Sequence, residues 1–120
     1  MSKMFNKNVS VPLYYTYSQN NSGGTYDVDT RVTFHVIIQA FDSNQADARA
    51  EEIGIYFNGV SSGRDCGCCG DRWNFASHGT FKPEIYGEDA HTANNMWSNP
   101  GDVFCRVYHL NGRVSEIKQV

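Results

Sequence analysis

No apolar run in the chain approaches the roughly 20 residues that a membrane-spanning helix needs, and Met1-Ser-Lys-Met-Phe-Asn-Lys7 lacks the apolar stretch of a secretory signal. No internal repeat or low-complexity tract is visible. The ten Lys and Arg are scattered and the net charge is only -3, which excludes broad binding to long nucleic acid or to an anionic membrane surface. There is no Walker or dinucleotide fingerprint, no His-x-His or His-x-Thr pairing, no Cys-His-Asn order, and no carboxylate cluster of the kind metal hydrolases use. These absences predict a cytosolic chain and weigh against, without excluding, an enzyme. In a reducing compartment its four cysteines are expected as free thiols or metal ligands rather than bridges.

What is present suffices for one core. With 120 residues, 40% of them hydrophobic and 13% aromatic, residues 1–120 are expected to form a single domain. Val11 to Ser18 is β-branched and aromatic, with Pro12 near its start, as in an edge or entering strand. The Gly/Asn-rich stretch 19–25 is a loop, and Arg31 to Ala40 becomes continuously apolar, as a strand at the sheet centre does. Asp42 or Ser43 can cap a helix that aligns Ala46, Ala50 and Ile53 on one face. Asn58-Gly59 marks a turn, Thr80 to Tyr86 a short strand interrupted at Pro83, and residues 88–100 a long loop or brief helix. Asn111-Gly112 between two strand-like runs, 102–109 and 113–120, is a hairpin signal. The expected fold is α+β: an antiparallel or mixed sheet of about five strands, one main helix packed on a face, and a C-terminal β-hairpin.

Reactive groups concentrate in Asp65-Cys-Gly-Cys-Cys-Gly-Asp-Arg-Trp73. Cys66 and Cys69 have the Cys-x-x-Cys-Gly form of a zinc knuckle, in which glycine lets backbone amides turn toward the thiolates. That is half of a tetrahedral site. The further candidates are Cys68, Cys105, His78, His91 and His109, and no second paired motif is present. Cys105 and His109 would lie roughly 13 Å apart along a strand, too far to share one ion. The alternative is a glycine-rich elbow with small, half-buried thiols, or a reactive thiol activated by Arg72.

Asp71-Arg72-Trp73 permits a second reading. A guanidinium can grip phosphate through two donors while an indole stacks on a base. The structural alternative has Asp71 pairing with Arg72 or capping a turn, and Trp73 anchoring the loop in the core. Tyr17 is a further candidate for stacking. Backbone amides of Asn20, Asn21, Ser22, Gly23 and Gly24 can surround an anion. His35, alternating with apolar residues, is expected as a histidine of the core or sheet face.

Gln19-Asn-Asn-Ser-Gly-Gly24, Ala50-Glu-Glu-Ile-Gly-Ile-Tyr-Phe-Asn-Gly59 and Cys66-Gly-Cys-Cys-Gly-Asp-Arg-Trp73 together resemble a family of small proteins encoded by tailed bacteriophages, over residues 13 to 86. The resemblance implies a setting, the cytoplasm of an infected bacterium, and an accessory role there. Three roles follow as expectations. The first is sequestration, without catalysis, of a phosphorylated or nucleotide-derived defence signal by Arg72, Trp73 or Tyr17, and the 20–24 loop, within one chain or across a homo-oligomer interface. The second is a zinc-stabilised adaptor that docks on a host protein. The third is a phosphodiesterase-type enzyme using His78, His91 or His109 as general acid or base.

Overall fold

A computed structural model describes residues 11–95 and 98–120. Pro12 has no amide proton to donate, and β1, Leu13–Ser18, begins directly after it as an edge strand. The central strand β2, His35–Ala40, starts later than the strand expected over Arg31 to Ala40. The cause is the Asp29 carboxylate, which accepts from the amides of Arg31 (2.7 Å) and Val32 (2.8 Å) and turns the chain just before the strand. Helix α1, Ser43–Glu52, is capped by Asp42, whose carboxylate accepts from Gln45 N at 2.7 Å. The Gln45 side chain reaches back to the amide of Phe41 (2.7 Å), much as a capping box does. The expected alanine face is the buried one: Ala46 and Ala50 are fully covered and Ile53 nearly so.

After α1 comes a single turn of helix, α2, Gly59–Ser62, which the sequence pattern does not announce. Two short strands, β3 (Glu84–Ile85) and β4 (Glu88–Asp89), form a separate antiparallel hairpin. The expected strand over 80–86 is reduced to β3 and one bridge from Thr80 to Tyr14. The expected loop or brief helix over 88–100 falls partly on Met96 and Trp97, outside the described residues. β5, Val103–Tyr108, and β6, Val114–Lys118, make the C-terminal hairpin around Gly112.

The main sheet runs β1-β2-β5-β6, antiparallel except for the parallel pair β2 and β5. The protein is therefore α+β, with a mixed four-stranded sheet, a small second sheet and one main helix. Alternation along β2 divides the core. Val36, Ile38 and Ala40 join Tyr15, Tyr17 and Trp73 under α1, whereas Ile37 joins Phe104, Val107 and Ile117 beneath the β3-β4 hairpin.

Candidate functional site

The segment 65–72 leaves the domain and returns to it, and its two ends are fastened together. The Asp65 side chain is fully buried. Its carboxylate accepts from the Tyr56 hydroxyl at 2.6 Å and from the backbone amide of Arg72 at 2.9 Å, and lies 3.7 Å from Arg72 Nε. Gly59 is required there, because a Cβ at that position would meet Asp65 Oδ2 at 1.8 Å. Asp71 accepts from the amide of Val60, tying the other end of the segment to α2 (2.9 Å). Burial and the bond to Asp65 both raise the Tyr56 pKa, in that order, while Arg72 opposes them.

Arg72 is a structural hub. Its guanidinium donates to Gln19 Oε1 (3.0 Å), to the carbonyls of Thr25 (2.6 Å) and Ser22 (2.8 Å), and to the Tyr56 hydroxyl (3.1 Å). Asp27 lies 3.4 Å away. The 19–25 loop is thus wrapped around a buried cation, and its carbonyls point inward to it. This corrects the phosphate-gripping geometry expected of Arg72 and of Asn20, Asn21, Ser22, Gly23 and Gly24. The donors of Arg72 are taken by protein acceptors, and Asn20 instead donates to the carbonyls of Cys69 (2.7 Å) and Asp71 (3.3 Å). Trp73 and Tyr17 are each 1% exposed, so neither ring has a face open for stacking. The Tyr17 hydroxyl donates to Asp47 at 2.7 Å, and burial is the largest cause of its raised pKa.

At the tip of the stapled segment, Cys66, Cys68 and Cys69 are all exposed, and their sulfurs lie within 4.8 Å of one another. This cluster can hold a metal ion. One backbone amide turns toward it as in a knuckle, Cys68 N donating to Cys66 Sγ at 3.3 Å, whereas the amides of Cys69 and Gly70 both donate to the Cys66 carbonyl and close the turn. Two points differ from expectation. Of the five further candidates only Cys68 joins Cys66 and Cys69, and among the described residues no fourth His, Cys, Asp or Glu does, so the expected closed tetrahedral site is not complete. The expectation is of unbridged thiols in a reducing compartment; in the structure Cys66 is paired with Cys68 and Cys69 is an exposed free thiol, so the three sulfurs can serve as thiolate ligands only once that pair is reduced. The turn at Gly67 brings the two Cα atoms to 5.3 Å, inside the usual range of about 4.4–6.8 Å. Cys105 is buried in β5, where desolvation pushes its thiol up to about 12, which makes it inert as a ligand.

The histidines have other partners. His78 contacts Ser77, His91 contacts Asp89, and His109 contacts Ser115 and Tyr14. His35 Nδ1 meets Ser18 Oγ at 2.8 Å, a serine-histidine contact that sequence reading missed because β1 and β2 had to be paired to reveal it. Burial lowers the His35 pKa to about 4, far from the value a general base needs near neutrality.

No curated protein and no solved structure matches the chain. Residues 12–120 match a domain of unknown function, DUF7296, and the chain belongs to that family.

Proposed function

We propose that the protein is a non-catalytic binding module whose cysteine turn takes a zinc ion through Cys66, Cys68 and Cys69 and offers the fourth coordination position to a docked protein. The observation that carries this reading is the convergence of three exposed sulfurs on a turn whose base is held by buried Asp65 and Arg72. Thiolates favour zinc and other soft ions, and a structural zinc completes a tetrahedron. A rigid three-ligand knob therefore gains affinity when a partner supplies a fourth donor. The phage-like sequence segments favour the reducing cytoplasm of an infected bacterium as the setting, where the Cys66–Cys68 pair opens to two thiols that ligate the ion.

Cobalt titration under reductant tests the site. One cobalt per chain, with thiolate-to-cobalt charge-transfer absorption displaced by zinc, is expected. Serine at position 66, 68 or 69 should weaken binding, while Cys105→Ser should leave it unchanged. A reduced wild-type chain without that absorption would end the proposal. For the docking step, complexes formed by the zinc-loaded chain should dissociate on chelation.

A further inference from the structure

We propose that a second site, the cavity between the β3-β4 turn and the start of β2, binds an uncharged planar heterocycle of nucleobase size. The cavity is about 230 Å³, below the roughly 300–1,000 Å³ of clefts that enclose drug-sized ligands, so it accommodates one ring system rather than a whole nucleotide. Tyr26, Phe34, His35 and Tyr86 supply aromatic walls, and among the described residues no Lys, Arg, Asp or Glu lines it. The Tyr26 and Phe34 rings meet at 60° with centroids 4.6 Å apart, and Tyr86 stands edge-on to His35 at 5.7 Å.

Tyr86 is the informative residue. It occupies the first central position of a two-residue hairpin turn at φ 51°, followed by Gly87 at φ 82°, where asparagine or glycine would be unstrained. Its ring is nevertheless 82% exposed, so burial does not offset the strain. A solvent-facing aromatic at a cavity mouth can act as a stacking platform, and strain kept at an exposed position is a pointer to such a role. Hydrogen-bonding capacity is also in place. Asn94 uses its side-chain oxygen, and Asn95 its side-chain nitrogen, on described partners. The side-chain amides of Asn94 and Asn95, both of which line the cavity, can each offer a donor or an acceptor to the edge of a nucleobase. His35, held neutral by burial, adds a ring nitrogen without charge.

The site does not depend on the metal, so its test is done with chelator present. Adenosine at millimolar concentration should shift the resonances of Tyr86, His35 and Asn94 in the full chain. AMP should bind no more tightly than adenosine, since no cation among the described residues lines the cavity. Tyr86→Asn should weaken adenosine binding about tenfold, the loss of one base-aromatic stack, while raising the melting temperature through relief of the turn. Absence of those shifts, tighter binding of AMP, or unchanged binding by Tyr86→Asn would each overturn the assignment.

Discussion

Replacing Arg72 with alanine should be the most damaging single change in the loop region, and its size follows from what is left behind. The Asp65 carboxylate keeps its bonds from the Tyr56 hydroxyl and from the backbone amide at position 72, but loses its buried counter-charge among the described residues. The carbonyls of Ser22 and Thr25 and the Gln19 oxygen lose their donor at the same time. Breaking a buried pair from one side typically costs about 3–5 kcal/mol, a large share of the roughly 5–15 kcal/mol that holds an ordinary domain together. At about 2.1 cal/mol/K per residue, this corresponds to a fall in Tm of roughly 12–20 °C for a chain of this length. Urea unfolding is the assay, with a lowered midpoint and an unchanged slope expected. Arg72→Lys keeps the charge but not the planar fork, and should recover less than half of the loss. Because the pair is buried, added salt should not erase the difference. A loss below about 1 kcal/mol, the level of a surface ion pair, would refute the hub.

Other expectations are more local. The folded His35 pKa, near 4, lies below its unfolded value of about 6.5, so the unfolded chain binds the extra proton between those values. Stability contributed by neutral His35 should therefore be complete above about pH 6.5 and fall by about 3 kcal/mol as the pH drops to 4, and His35→Gln should remove that component from the pH dependence of urea midpoints. Gly59→Ala drives a methyl group into the buried Asp65 carboxylate and should destabilise by about 1–3 kcal/mol or more, whereas alanine at Gly63, where the added Cβ meets nothing, should cost only about 1 kcal/mol for its backbone conformation; thermal melts separate the two. Asn20→Ala removes the bonds to the carbonyls of Cys69 and Asp71, and should lose about 1 kcal/mol of stability while loosening cobalt binding in the titration above.

The parts of the fold legible in the sequence are those written in local pattern. The apolar run of β2, the Asp42 cap with Ala46, Ala50 and Ile53 on one face, and Asn111-Gly112 between two strands each carry their own signal within a few residues. Strand pairing is different. The parallel contact of His35 with Cys105 joins residues separated by most of the chain, and no short window encodes it. The β3-β4 hairpin escaped because two-residue strands have no period to read, and its turn uses tyrosine where a turn signal would show asparagine.

The functional segment shows the same limit in a sharper form. Arginine followed by tryptophan beside a glycine-rich turn suggests recognition of a nucleotide, yet both side chains are enclosed. The deciding information lay in the surrounding acceptors: Asp65 is seven residues before Arg72, Asp27 sits just after the polar loop, and that loop contributes inward-facing carbonyls. A guanidinium supplied with so many internal oxygens is more stable as the centre of a loop than as an open anion site, because an incoming phosphate would have to displace acceptors that are already desolvated. The cysteines sit just outside that network, on the exposed side of its closure, so their sulfurs are positioned by the hub without being enclosed by it. Holding a turn in place while leaving its sulfurs accessible is the condition under which the proposed metal site, once Cys66 and Cys68 are reduced, would exchange a fourth ligand, whereas the geometry gives Arg72 a structural role.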